Sequence, residues 1–499
     1  MRILLIYPNN TGYNRVPIGL ALISTCLLKA GHDVEVYDTT FYNIFKQTDD
    51  DIREKLFQVK ESDLKSFVTY EQKSINMITK ELNDLVSEYK PGLIGFTTNE
   101  DLLEFAFHLA QSVRESSNCP IVFGGIAVTM SPMDIMSKPY IDMLCVGEGE
   151  EAVVELAGRL EEGKSITDIK NIWVKNGDDI IENELRDLMH VNELPFVNLD
   201  AFDDRHFYRP LEGKVYRTVM YEHSRGCPRV CTYCNNPTLQ GLYKAKGRYL
   251  RTKSIDRSIA ELNYLKSKYG IELFFFIDDD FILMPIDHLN ELLESYSKNI
   301  AVPFITQTYP DSFTEHKASL LKKHGCISLR MSIESGSSYI REKVFNRRSK
   351  KQKIVEAFKF AHKYGIRITS GNIIGNPYET RKEIMETVYL NRECKPDDST
   401  VNFLIPYKGT PIRKLCEDLG YIKDIDVIKE GLRGEPVLNM PQISKEQLKG
   451  IQKTFPFYCQ LPMWSFFLIR IAEGSSYISK VFYAALALWF KNVRATSSL

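Results

Sequence analysis

At 499 residues the chain is too long for one ordinary domain, and two or three are expected. Its 43% hydrophobic and 26% charged content is that of a globular protein with real cores, which excludes a disordered or fibrous chain. The formal net charge of −1 lacks the cationic excess that nucleic-acid binding usually requires, so no nucleic-acid partner is expected.

The start, MRILLIYPNN, is a short apolar run that passes at once into polar residues. It lacks the charged n-region and long apolar h-region of a signal peptide and reads as a first strand. The ten cysteines are therefore expected in a reducing cytoplasm, where a cluster of thiols points to a metal and scattered ones to core packing. From there strand and helix alternate. RILLIYP (2–8) is a strand and PIGLALISTCLLKAG (17–31) a helix between Pro17 and Gly31. DVEVYD (33–38) is a strand, and a charged helical region covers roughly 50–90. GLIGFTT (92–98) and PIVFGG (120–125) are strands flanking a helix at 101–116, and 143–160 runs from strand into helix. This order implies an α/β class, with a doubly wound parallel sheet over residues 1–160 that binds ligands at the carboxyl ends of its strands.

Those ends read YPNN, FTTNE, FGGIAVT and VGEGE. Their small and hydroxyl residues let a large ligand approach the backbone. GG after one strand and GEGE after the next resemble the cobalamin-binding domains fused to radical S-adenosylmethionine (SAM) enzymes. The resemblance implies cobalamin contacts at Asn9, Asn10, Thr97, Thr98, Gly124, Gly125, Gly147 and Glu148. Many cobalamin proteins carry D-x-H-x-x-G after the first strand, and here that position has no histidine. His32 and His108 read as structural, so any bound cobalt is expected to lack a histidine ligand from this domain.

Residues 161–215 read as a linker, with a hairpin at 171–183 turning near Asn176-Gly177. The strand at 216–224 then leads into HSRGCPRVCTYCNN, where Cys227, Cys231 and Cys234 stand at C-x3-C-x2-C. A structural zinc would want a fourth Cys or His; Cys326 is far off, and His223 is the one candidate nearby. Three thiolates can instead hold three irons of a [4Fe–4S] cluster and leave the fourth iron open, the logic of a catalytic metal site. C-x3-C-x2-C with Tyr233 before the last cysteine resembles the radical SAM signature.

Further strands are expected at 271–281, 302–308, 326–336, 366–377 and 401–411, with helices between. Together with the first they make a partial (β/α)6 barrel over 216–424, with the site in its carboxyl-end loops. The resemblance implies that Asp278 and Asp279 lie in the region binding the SAM amine, where a solvated cap is the alternative. It implies that Glu334, with Ser332 and Ser335 nearby, accepts the ribose hydroxyls, where a structural ion pair is the alternative. Gly375, Asn376 and Pro377 would pack backbone around adenine, and PYKGTP (406–411) resembles the sixth-strand motif of the cobalamin-linked branch.

The last segment, 425–499, runs from charged helix to aromatic, apolar sequence. Its longest apolar run, near 479–491, stops at about ten residues, short of the ~20 that span a bilayer. Helices capping the open barrel, a lid over an apolar substrate and a peripheral membrane contact are the three readings. Over roughly 1–425 the chain resembles cobalamin-binding-domain radical SAM proteins, the branch of class B methyltransferases and the anaerobic magnesium-protoporphyrin ester cyclase. That implies reductive cleavage of SAM, hydrogen abstraction by a 5′-deoxyadenosyl radical, and methylation of an unactivated carbon or phosphorus of a small-molecule or lipid-like substrate. It also implies an external electron donor such as flavodoxin or ferredoxin. A cyclisation or rearrangement without methyl transfer is the second reading, and a first domain serving as a non-cobalamin interaction module the third.

Overall fold

The computed structural model describes residues 1–9, 14–44, 48–423 and 434–496; Asn10 and the first residues of the C-terminal segment lie outside them. Two seven-stranded sheets organise the chain. The first is built from β1 (Arg2–Tyr7), α1 (Ile18–Lys29), β2 (Asp33–Asp38), α2 (Asp49–Lys55), α3 (Ile75–Tyr89), β3 (Leu93–Thr97), α4 (Leu103–Ser116), β4 (Ile121–Gly124), β5 (Met143–Cys145) and α5 (Glu150–Glu161). The β strands are near-continuous apolar runs because helices cover both faces: Ile3, Leu4 and Ile6 are fully buried, as are Leu93, Ile94 and Ile121.

Strands β2, β1, β3, β4 and β5 run parallel in that spatial order. The order reverses between β1 and β3, and a doubly wound sheet opens its ligand crevice at such a switch point. The hairpin β6 (Ile172–Asn176) and β7 (Asp179–Ile181) continues this sheet antiparallel to β5 instead of standing apart in a linker. Its apolar residues explain why: Ile172 and Val174 join the buried core beside Met143 and Cys145. The charged region expected over 50–90 is two helices with separate starts. Thr48 caps α2 in a reciprocal box with Asp51, and Ser74 caps α3.

The second sheet begins with β8 (Tyr208–Leu211), antiparallel at its edge. Then β9 (Lys214–Tyr221), β10 (Leu273–Phe276), β11 (Phe304–Thr308), β12 (Cys326–Glu334), β13 (Arg367–Ile374) and β14 (Asp398–Phe403) follow in parallel order. Helices α6 (Ile255–Tyr269), α7 (Ile286–Asn299), α8 (Glu315–Lys323), α9 (Lys351–Lys363) and α10 (Arg381–Cys394) cover the outside, giving the expected six-unit half-barrel.

Beyond it lie α11 (Lys445–Gln460), α12 (Phe466–Ala472) and α13 (Tyr477–Thr496). Val401 and Phe403 point outward from β14 and pack in one core with Ile451, Phe455 and Phe457 of α11. The segment is thus the helical cover of the last strand, not a lid over the barrel mouth, because β14 has an apolar outer face to bury. Among the described residues no helix is long and apolar enough to cross a membrane.

The loop after β14 fastens the sheets together. Tyr407 donates its hydroxyl to Asp101 at 3.1 Å, the Lys408 backbone N–H reaches Glu100 at 2.7 Å, and Lys408 Nζ pairs with Asp134 at 2.6 Å.

Candidate active site

The loop after β9 carries the three cysteines. Gly226 stands before it at φ +91°, where an added Cβ would sit 2.5 Å from the Tyr249 carbonyl, so only glycine lets the loop turn there. Cys227, Cys231 and Cys234 all line one cavity of about 340 Å³, with Tyr233, Asn236, Asp279, Tyr309, Ser332, Glu334 and Arg347. All three thiols are free.

Burial pushes the Cys227 thiol up to about 12 and raises Cys234, so alone they hold their protons. A bound cation would make them thiolates. Asn236 already presents its backbone N–H (3.5 Å) and side-chain amide (3.3 Å) to Cys234 Sγ. His223 is no fourth ligand: it is buried, Nδ1 meets Ser258 Oγ at 2.8 Å, and burial lowers its pKa to about 3. Among the described residues no three His, Cys, Asp or Glu side chains close on a point that one metal ion would occupy. Three free thiols round an open cavity, with no fourth cysteine or histidine beside them among the described residues, suit a [4Fe–4S] cluster better than a closed tetrahedral zinc.

Glu334 ends β12 in a strained left-handed conformation, φ +63°, where the register against β13 slips after Ser332. Its Oε1 accepts from Tyr233 at 3.0 Å and lies 3.5 Å from Arg347. Burial raises the carboxyl against the pull of Arg347 and the tyrosine bond. The ion pair and the cavity-lining position therefore coexist. Arg229 and Arg347 both lie over the Tyr309 ring, at 3.5 and 3.6 Å.

The aspartates divide. Asp279 lines the cavity and accepts from Asn236 at 3.1 Å. Asp278 is turned inward, accepting from the N–H groups of His223 and Ser224 and from Ser224 Oγ, and burial raises it to about 7. Ser335 faces Thr387 and the Ser337 N–H, away from the cavity. Gly375, Asn376 and Pro377 also stand outside its lining: Gly375 packs on Leu448, and Glu379 Oε2 accepts from the N–H groups of Gly375 and Asn376.

A second cavity, of about 610 Å³, opens at the β1/β3 switch point and is shared with the half-barrel through Met220, Glu222, Arg225 and Ile277. Thr97, Gly124, Gly125, Gly147 and Glu148 line it, joined by Gly19, Gly95 and Gly149. Gly147 has φ +87°, and a Cβ there would stand 2.2 Å from the Tyr243 hydroxyl. A wall this rich in glycine presents bare backbone to a flat macrocycle, and no histidine lines it among the described residues. Thr98 and Asn9 are not in it: Thr98 bonds the Asn99 carbonyl, and Asn9 bonds Thr40 Oγ1 at 3.0 Å.

Glu148 does structural work as well. Arg251 grips it with Nη1 (2.9 Å) and Nη2 (2.5 Å), and Arg225 stands at 3.4 Å while also pairing with Glu150 and Glu222. Burial would raise this carboxyl, but the two arginines hold it below the usual range.

Arg53, Arg229, Tyr309, Arg330 and Arg347 line the first cavity and were not singled out from the sequence. For Arg330 the signal was there: SLRMSIE alternates polar and apolar along a strand whose polar face should have been apolar if the lumen were filled. For Arg53, Tyr309 and Arg347 local sequence carries none.

A parallel half-barrel with three open thiols at its mouth, docked on a glycine-walled α/β sheet, defines a cluster-dependent enzyme with a macrocycle-binding partner domain. Comparison with known families agrees. The Radical SAM superfamily matches residues 221–390 and the B12 binding domain residues 67–157. The chain therefore carries a radical SAM domain and, before it, a B12-binding domain. It is 28% identical to an uncharacterised methyltransferase of Pyrococcus horikoshii over 66% of this chain and 70% of that one. It is 21% identical to the cytidylyl-2-hydroxyethylphosphonate methyltransferase of Streptomyces wedmorensis, over 88% and 86%. In fold it is similar to the radical SAM methyltransferase TsrM from Kitasatospora setae, solved with cobalamin and a [4Fe–4S] cluster, with a TM-score of 0.63 at 19% identity over 84% of this chain and 75% of that one.

Proposed function

We propose that this enzyme is a cobalamin-dependent methyltransferase acting on an unactivated carbon, or a phosphorus, of a small molecule. The observation that carries the reading is the adjacency of the two cavities: Arg225 lines the glycine-walled one, and Cys227, two residues on, lines the other. When bound, the cluster with SAM supplies one-electron carbon–sulfur cleavage and hydrogen abstraction, and cobalamin supplies the methyl group.

The protein's part is binding and orientation. Cys227, Cys231 and Cys234 hold three irons, and Asn236 steadies Cys234 by donating to its sulfur. Glu334, fixed by Tyr233 and Arg347, is an acceptor for ribose hydroxyls beside Ser332, and Asp279 faces the same cavity as a partner for the amine. Thr97, Gly124, Gly125, Gly147 and the neighbouring glycines take the corrin against backbone. The cluster must be reduced anew for each reductive cleavage, so the electron comes from an external donor such as a flavodoxin or ferredoxin.

The test is anaerobic reconstitution with cobalamin and SAM labelled in the methyl group. Bound corrinoid, seen by its absorbance, and the joint appearance of 5′-deoxyadenosine, S-adenosylhomocysteine and labelled product are expected. Deoxyadenosine without label transfer would establish cyclisation or rearrangement instead, and a chain that binds no corrinoid under saturating supply does not methylate through cobalt.

A further inference from the structure

The half-barrel lumen is polar where a filled barrel would hold branched apolar side chains. Along β12, Leu329, Met331 and Ile333 are fully buried in the outer core, while Arg330, Ser332 and Glu334 line the inner cavity. At about 3.3 Å per residue, Arg330 lies roughly 13 Å below Glu334, toward the amino ends of the strands. A smaller cavity of about 70 Å³ continues downward from there. Arg53, Arg330 and Thr369 line both cavities and so form the neck between them.

Arg53 does not belong to the barrel. It comes from α2 of the first domain, and the residues just past that helix hold it in place. Phe57, in the left-handed region at φ +54°, packs its ring 5.4 Å from Phe457 and 5.5 Å from Phe490, and Gln58 donates to the Val401 carbonyl at 3.1 Å. A strained residue fixed from two sides is a costly way to place one helix, and the side chain it delivers is a guanidinium. Arg53 is 9% exposed, its Nε has no hydrogen-bond partner, and it forms one ion pair among the described residues, with Asp50 at 3.6 Å from Nη1, too long for a hydrogen bond. Arg330 lies over the Phe275 ring at 4.8 Å, which fixes its plane. Arg367, below them, is taken up by Glu212 and Asp398. A buried guanidinium whose Nε finds no acceptor and whose carboxylate partner stands at 3.6 Å, as at Arg53, is incompletely satisfied, and its complement is a planar or tetrahedral oxyanion.

We propose that the substrate carries an oxyanion, a carboxylate or a phosphoryl group, that seats on Arg53 and Arg330 and leaves its reacting atom about 10 Å higher, under the three cysteines. This rests on the methyltransferase reading and adds the chemical class of substrate to it. It also gives α2 of the first domain a role in specificity.

Phenylphosphonate and benzoate, titrated calorimetrically into the anaerobically reconstituted full chain, test it. At least one binds the native chain, and which one binds separates phosphoryl from carboxylate recognition. R53Q and R330Q each weaken that binding by about tenfold or more, the effect of losing a charge-assisted bond. R53K weakens it less than R53Q, and K395Q, in a separate cavity near Asp397 and Cys459, leaves it unchanged. Iron content and SAM binding stay native in all of them. Binding of neither probe, or equal binding by R53Q and R330Q with iron and SAM retained, overturns the proposal and leaves the methyltransferase reading standing. A native chain that takes up no iron overturns that reading, and the proposal with it.

Discussion

Glu148 joins the two halves of the enzyme, and replacing it by glutamine measures that joint. Arg251 makes a two-pronged grip on it, at 2.9 and 2.5 Å, across more than a hundred residues of sequence. Each charge-assisted bond contributes about 1.5–3 kcal/mol, and an amide keeps one acceptor oxygen but no charge. The Glu148 side chain is 23% exposed, so solvent takes over part of the loss, while Arg225 keeps Glu150 and Glu222. The expected cost is about 2 kcal/mol. For cooperative units of 150–250 residues that lowers the melting temperature by roughly 4–8 °C. Differential scanning calorimetry of the cofactor-free chain reads it, and a double-mutant cycle with R251Q isolates the pair. A coupling energy of about 1 kcal/mol or more is expected. An unchanged melting temperature, or single effects that simply add in the double variant, would show that the grip seen here is not what holds the sheets together.

Replacing Cys227, Cys231 and Cys234 together by alanine is expected to reduce iron to background while leaving the circular dichroism spectrum native, since small buried thiols contribute little packing; retained iron refutes the ligand assignment. G147A must place a Cβ 2.2 Å from the Tyr243 hydroxyl at φ +87° and break its bond to the Glu148 N–H, so a loss of about 2 kcal/mol in urea unfolding and weaker corrinoid retention are expected. Burial raises Glu379 to about 8 and Asp278 to about 7, so the folded chain holds protons that the unfolded chain has released. Their stabilising effect is complete below about pH 4 and fades as pH climbs toward 8, so the cofactor-free chain melts lower at pH 8.5 than at 6. E379Q flattens that slope, and a variant with the native slope removes Glu379 as its source.

The alternation of apolar strands with punctuated helices was legible in the sequence for both sheets, because parallel strands buried on two faces cannot avoid being apolar runs. The hairpin at 171–183 was legible as a hairpin but not as the edge of the first sheet, because a strand does not encode which neighbour its N–H groups will meet. The same limit applied to Asp278 and Asp279. Adjacent residues of one DDD run face opposite ways, one into the strand-end turn and one into the cavity, and composition cannot distinguish them. Ser335 and Gly375–Pro377 likewise have a register that only neighbouring strands and α11 decide. The C-terminal segment was ambiguous because an aromatic helix looks the same whether its partner is a strand, a substrate or a lipid.

The sequence by itself brought the three thiols to one cavity. Cysteines within eight residues cannot stand far apart, because short loops fix short distances. Only the tertiary structure decided what surrounds them. Arg53 reaches the lumen from nearly two hundred residues upstream, Tyr309 and Arg347 from far downstream, and the glycine-rich wall meets Met220 and Ile277 across a boundary between two sheets. Contacts of that range are set by how apolar faces are covered: Phe57 against Phe457 and Phe490, and Val401 under α11. The charged groups come along with the surfaces that had to be buried.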